Sequence, residues 1–327
     1  MEQRDFGKTG RRVSALGFGC GAVGGLMTKG EPADQRAAVV RALDAGVTYF
    51  DTAAMYGNGT SEQNIGRVLT ELGAWDRVTL GTKLRLRAAD LQDIPAAVQR
   101  CLRESLARLG RDSVDLFQVH NRLAAETTAD GDTLGAAHID AVAAAMKDLV
   151  KAGHVRFIGI TGLGETPALR RVIESGAFDT VQCYFNAIQP SYGYAGASAG
   201  AQDFEGMIDT AAQKGMGSIG IRVMAAGAMA GTTERAPLAG GGGPPLAGNQ
   251  GFEDDVRQAQ AMQSLARELG LESTLELSLR FAIAKQTLST ALVGFSDMDQ
   301  LEASLRWAER GPLPAEAVER VLAVARR

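Results

Sequence analysis

Four polar residues in the first part of the chain could act together on one proton. Asp51 ends the run Val47-Thr-Tyr-Phe-Asp, Lys83 ends Val78-Thr-Leu-Gly-Thr-Lys, and His120 ends Val114-Asp-Leu-Phe-Gln-Val-His. Tyr56 follows Asp51 in the next loop. A free phenol titrates near ~10 and is a poor acid at neutral pH. An ammonium beside a phenol stabilises the phenolate, and a carboxylate beside that ammonium keeps it charged and in place. An imidazole can orient a carbonyl oxygen next to the phenol. Together such groups can protonate a carbonyl oxygen while a hydride arrives at its carbon. None of them can supply the hydride, so the set implies a nicotinamide. Taken singly, each residue has a bland reading as a turn cap, a buried structural cation or a hydrogen-bonded histidine. Their placement at three successive strand ends favours a site.

The elements that must position them alternate along the chain. Short apolar runs at Val13–Phe18, Val47–Phe50, Val78–Thr82, Val114–Val119, Val155–Ile160, Thr180–Tyr184, Ser218–Ile221 and Thr290–Val293 read as strands buried on both faces. Helical periodicity fills the gaps at Ala33–Ala45, Ser61–Leu72, Ile94–Leu109, Ile139–Lys151, Thr166–Ser175, Phe204–Lys214, Val256–Leu269 and Thr274–Ala284. Met298–Glu309 and Ala315–Ala325 close the chain as extra helices, and Arg4–Val13 reads as a hairpin at the barrel bottom. Alternating βα units imply a parallel sheet, and eight of them in this length fit a (β/α)8 TIM barrel, one domain over residues 1–327. In such a barrel the strand ends carrying Asp51, Lys83 and His120 are neighbours on the rim where catalytic groups gather. The Gly/Pro-rich stretch Pro237–Gly251 follows the seventh strand and reads as a loop over that rim.

A competing reading comes from Gly19-Cys20-Gly21-Ala22-Val23-Gly24, which matches G-x-G-x-x-G after a strand, with Asp51 as a ribose-binding acid. That fingerprint needs its third glycine to open a helix. Here Gly24-Gly25 runs into Lys29-Gly30-Glu31-Pro32, so a thin loop that lets a cofactor approach is the better reading.

Composition excludes other classes. Lys+Arg number 34 and Asp+Glu 38, a net charge of −4, which offers no basic surface for nucleic acid or membrane. Glycine is abundant, 40 residues against a usual ~7%, but without a Gly-X-Y period it signals turns. Cys20, Cys101 and Cys183 form no C-x-x-C pair, and no His/Asp/Glu cluster has metal-ligand spacing. The N-terminus MEQRDFGKTGRR lacks an apolar signal core, so a reduced, cytoplasmic location is expected.

The segment FDTAAMYGNGTSEQNIGRVL resembles the FDTAxxYGxGxSExxxGxxL signature of the aldo-keto reductases, and the resemblance runs from the FGKTG hairpin at Phe6 to VGFSDMDQLEASL ending at Leu305. The resemblance implies an NAD(P)-dependent oxidoreductase interconverting carbonyls and alcohols. It makes Tyr56 the general acid/base, Lys83 its ammonium partner, Asp51 the partner of Lys83, and His120 the substrate-orienting group. By the same resemblance, Gln182 and Thr161 hold the nicotinamide carboxamide. Ile221 takes the slot of the aromatic that usually stacks under the ring, and Arg222 that of a serine near the pyrophosphate. Gly21 and Gly227 border the cofactor, while Gly294, Phe295, Ser296, Gln300 and Ser304 hold its adenosine end. Family habit implies NADP. Two carboxylates at that end, Asp297 and Asp299, would favour the alternative, NAD, if they point inward. The substrate is expected among loops carrying Met27, Met55, Asn121, Phe185, Tyr192 and Tyr194. It is a small carbonyl compound, alcohol or sugar. The competing functions are an NAD-dependent aldose dehydrogenase working oxidatively and a low-turnover, cofactor-binding regulatory subunit. Turnover with a panel of carbonyls separates the latter.

Overall fold

A computed structural model describes residues 1–197, 202–241 and 251–326. Eight strands close a parallel barrel: β1 Leu16–Gly19, β2 Tyr49–Asp51, β3 Thr79–Leu84, β4 Val114–Val119, β5 Val155–Gly162, β6 Thr180–Tyr184, β7 Gly217–Ile221 and β8 Thr290–Gly294. β8 pairs with β1 through Ala291↔Leu16 to Gly294↔Gly19, which completes the ring. The fold is therefore the (β/α)8 barrel implied by eight alternating units.

Helix ends follow their capping signals. Asp93 accepts from Ala96 N at 3.1 Å to start Ile94–Leu109, and Gly110 ends that helix at φ 67°. Ser273 caps Thr274–Ala284 in the same way, accepting from Glu276 N. Two expected elements divide. Val13–Phe18 splits at Ala15, because Arg12–Ser14 pairs antiparallel with Gln3–Asp5 while β1 begins at Leu16. Val256–Leu269 splits at Met262 into Phe252–Ala261 and Gln263–Glu268.

Most of the core lies between barrel and helices. A smaller cluster, Phe6, Val13, Tyr49, Leu116 and Ile219, fills the barrel interior. Phe6 is fully buried and plugs the bottom, where Gly217 leaves room: a Cβ on Gly217 would lie 2.6 Å from the Phe6 ring. The hairpin thus shuts one end of the barrel and leaves the strand C-termini as its open mouth. Of Pro237–Gly251, residues 242–250 lie outside the described residues. The preceding stretch crosses to the β1 loop, where Gly240 N donates to Ala22 O at 2.8 Å. No helix among the described residues is long and apolar enough to cross a membrane.

Candidate active site

The register of the barrel delivers the polar strand ends to one point. Asp51 pairs with Gly81, and Lys83 with Gln118. Both members of the Asp51–Lys83 ion pair are buried, with the ammonium on Oδ1. Lys83 Nζ also donates to Thr52 O at 2.8 Å and to the Tyr56 hydroxyl at 3.3 Å. An ammonium has only three N–H bonds, and these three partners use them all. The other carboxylate oxygen, Oδ2, accepts from Tyr49 OH at 3.1 Å, Gln118 Nε2 at 3.0 Å and Gln182 Nε2 at 2.8 Å. Burial alone would lower the Lys83 titration, but the charge on Asp51 and the Tyr56 oxygen outweigh it and hold the ammonium above the ordinary lysine value.

His120 stands across from Tyr56. Its Nδ1 is buried and has no partner among the described residues. Burial, with help from the positive charges of Lys83 and Arg85, pushes its titration down to about 3, so the imidazole is neutral at ordinary pH.

A cavity of about 620 Å³ opens from this point, within the usual range for ligand sites. Asp51, Tyr56 and His120 reach it, while Lys83 sits behind them in the barrel wall. All eleven residues expected at the cofactor, from Gly21 through Thr161, Gln182, Ile221, Arg222, Gly227, Gly294, Phe295, Ser296 and Gln300 to Ser304, lie on its walls. Gln182 divides its amide, giving Nε2 to Asp51 and accepting from Thr161 Oγ1 at 3.4 Å. At the far end Ser296 Oγ donates to Gly24 O, and Gln300 Oε1 accepts from Ser296 N at 3.0 Å.

Two adjacent aspartates part company here. Asp297 is the N-cap of Met298–Glu309: its oxygens accept from Gln300 N at 2.9 Å and Gln300 Nε2 at 3.1 Å, and it does not line the cavity. Asp299, in the first helical turn, does. The β1 loop also differs from the reading of a broken thin loop, since a helical turn, Leu26–Lys29, starts directly after Gly25. Its glycines are nonetheless required. A Cβ on Gly24 would collide with the Phe295 backbone, and one on Gly25 with Leu238 O.

None of the residues expected at the substrate, Met27, Met55, Asn121, Phe185, Tyr192 and Tyr194, lines this cavity. Tyr192 is fully buried, gives its hydroxyl to Gly162 O at 2.7 Å and stacks on Phe204 at 4.2 Å. Phe185 packs on Phe281 at 5.4 Å, and Tyr194 lies under the Lys285 ammonium at 4.8 Å, both in the barrel–helix layer. Asn121 pins the backbone, accepting from Leu86 N and donating to Leu86 O. Met27 is buried, and Met55 is exposed beside Arg85.

Arg235, in an aperiodic segment that no sequence pattern marks, also belongs to the site. This side chain lines the cavity 4.6 Å above the Phe252 ring and donates to Ala226 O at 2.9 Å. Its Nε and Nη1 are buried with no partner among the described residues. Buried guanidinium N–H groups demand acceptors, and a phosphate supplies them bidentately. Arg222 lines the same wall, held at φ 57° with its carbonyl accepting from Asn186 Nδ2 at 2.9 Å. Gly227, at φ 99°, faces open space. Two cations, a glycine-walled slot and the unpartnered N–H groups fit a bound dinucleotide.

A neutral imidazole and a phenol backed by an ammonium stand together at the mouth of a parallel barrel, beside an extended cleft. The chain belongs to the aldo/keto reductase family, whose model matches residues 15–326. Aldo-keto reductase YhdN of Bacillus subtilis (strain 168) is 36% identical over 166 residues, 49% of this chain and 47% of that protein, so this match spans about half of the relative's length. L-galactose dehydrogenase of Arabidopsis thaliana is 27% identical over 316 residues, covering 93% of this chain and 87% of that protein. Among solved structures, the holo form of aldo-keto reductase AKR11C1 from Bacillus halodurans superposes with a TM-score of 0.73 at 21% identity, over 99% of this chain and 96% of the other, a likeness of fold.

Proposed function

We propose that the protein interconverts aldehydes or ketones and alcohols, with Tyr56 as the proton donor in reduction and acceptor in oxidation. One observation carries the reading: Lys83 Nζ donates to the Tyr56 oxygen at 3.3 Å. A lysine ammonium can only donate, so the Tyr56 oxygen accepts there and its own O–H is turned elsewhere. Tyr56 lines the cavity, and that O–H is available to a substrate oxygen. As the proton leaves, the ammonium is already in place to stabilise the oxyanion, with no reorganisation. Asp51 compensates the buried ammonium throughout. His120, neutral, can donate one hydrogen bond to the same substrate oxygen and fix its direction.

A nicotinamide dinucleotide, when bound, supplies or accepts the hydride. Arg222 and Arg235 would hold its phosphates, Gln182 and Thr161 its carboxamide. Ile221 would offer apolar packing where family members place an aromatic ring. At the adenosine end Asp299 is the charge on the wall, and a 2′-phosphate would meet it unfavourably, which supports NAD over NADP. The long alignment with a sugar dehydrogenase favours a second reading, oxidation of a sugar hydroxyl, which the same residues perform in reverse.

The test is Tyr56→Phe, assayed in both directions over a panel of aldehydes, ketones and sugars. A loss of at least ~10²-fold in kcat, the low end for general acid–base catalysis, is expected with cofactor affinity unchanged. A folded Tyr56→Phe protein with wild-type turnover would remove Tyr56 from the chemistry. A wild-type protein that binds cofactor without turning over any of the panel would point to a regulatory subunit.

A further inference from the structure

Beneath the site the barrel carries a polar layer that the proton transfer does not use directly. Tyr49 on β2 and Gln118 on β4 are fully buried, and both donate to Oδ2 of Asp51. Polar side chains buried in a barrel interior cost free energy unless they are hydrogen-bonded, so a shared target on one oxygen is informative. The chain also clears space for them. A Cβ on Gly81 of β3 would lie 3.0 Å from Tyr49 OH, 3.1 Å from Gln118 Nε2 and 3.2 Å from Asp51 Oδ2. A Cβ on Gly17 would lie 3.0 Å from the Tyr49 ring, and one on Gly159 3.1 Å from Gln118 Cγ. Glycines on three strands thus leave room for two large polar side chains that converge on a single carboxylate oxygen.

Gln182 donates to that oxygen too, but it stands on the cavity wall, where a bound cofactor would compete for its amide. Tyr49 and Gln118 lie outside the cavity lining. Burial, reinforced by the charge on Asp51, keeps the Tyr49 phenol protonated far above neutral pH, so it remains a donor.

We propose that Tyr49 and Gln118 are positioning residues for the proton transfer: they lock the Asp51 carboxylate through Oδ2, so that Oδ1 holds the Lys83 ammonium aimed at Tyr56 whether or not cofactor is bound. Without them the carboxylate can turn about its Cβ–Cγ bond, and the ammonium follows it away from the phenol. The proposal rests on the assignment of Tyr56 as the proton-transfer group.

The experiment compares Tyr49→Phe, Gln118→Met and Gly81→Ala with Tyr56→Phe in the full chain. It measures the pH profile of kcat, the cofactor Kd by fluorescence titration, and the thermal midpoint. Tyr49→Phe and Gln118→Met should each lose ~10-fold or more in kcat, the scale of a hydrogen bond to a charged group. The limb of the profile that reports the Tyr56–Lys83 pair should move to higher pH, and cofactor Kd should stay at the wild-type value. Gly81→Ala crowds the same oxygen from another strand and should move the limb the same way, which keeps the test open if one of the first two does not fold. Folded variants whose profiles superpose on wild type, beside an inactive Tyr56→Phe, would make the layer mere packing and overturn the proposal. An active Tyr56→Phe would instead overturn the proton-transfer reading, and this proposal with it.

Discussion

The rings of Tyr56 and His120 meet edge to face, with centroids 5.7 Å apart and planes at 87°. This contact places a neutral imidazole beside the Tyr56 phenol, because burial and the nearby Lys83 and Arg85 charges hold His120 down to about 3 from its ordinary 6.5. Two consequences can be measured. By imidazole NMR, His120 should show no titration between about pH 5 and 8, the range in which a histidine usually changes charge. Stability should also depend on this ring. The unfolded chain takes up the proton below about 6.5 and the folded one only near 3, so the contribution is complete above 6.5 and is lost as pH falls through that window. The slope is at most about 1.4 kcal/mol per pH unit for one proton. Urea unfolding of wild type and His120→Gln across this range isolates it. Equal slopes in the two proteins would mean that the ring protonates freely in the fold.

Arg222 and Arg235 both stand on the cavity wall. Arg235→Ala should raise cofactor Kd ~10- to 100-fold, the equivalent of ~1.5–3 kcal/mol for a charge-assisted hydrogen bond. It should change kcat little at saturating cofactor. Arg222→Ala should weaken binding in the same way. Arg222 also sits in the left-handed region, at φ 57°, where a residue with a side chain stores strain. Arg222→Gly should therefore bind cofactor as weakly as Arg222→Ala while unfolding at higher urea. If neither guanidinium affects Kd, the phosphates lie elsewhere.

The contrast between what was and was not legible in the sequence has a physical basis. Short apolar runs bounded by glycine and polar caps announce a parallel barrel, and Val114–Val119 and Thr180–Tyr184 run residue for residue as expected. Asp51, Lys83 and His120 were visible because each ends its run, and strand ends in a barrel converge. The aromatic residues after β6 are less legible, because a tyrosine in a loop carries no signal of which way it faces. Tyr192 turned inward, where Gly162 O and Phe204 receive it. Arg235 lies in an aperiodic segment, so no pattern connects it with Arg222. The aspartate pair was ambiguous for a related reason. Both neighbour the same helix start, and only the backbone decides that Asp297 caps the helix while Asp299 faces the cleft.

Asp299 is exposed and stands on the cavity wall with Ser304 and Trp307 of the same helix, while Asp297 spends both oxygens on Gln300. A carboxylate near the adenosine ribose repels a 2′-phosphate and can accept a bond from a 2′-hydroxyl. Its site is open to solvent, so the effective dielectric is high and one charge change is worth on the order of 1–3 kcal/mol. Asp299→Ser should therefore move the ratio of kcat/KM for NADP over NAD upward by roughly tenfold, and Asp299→Arg should move it further. Both shifts should shrink at high ionic strength, since the interaction is screened. Asp297→Ala is the control. It removes a helix cap, should cost about 1 kcal/mol of stability, and should leave the cofactor ratio where it was. If the ratio responds to Asp297 and not to Asp299, the first turn of Met298–Glu309 presents its other side to the ribose. A ratio indifferent to both would move recognition of the 2′ position to Arg235, and Arg235→Ala would then lower NADP affinity more than NAD affinity.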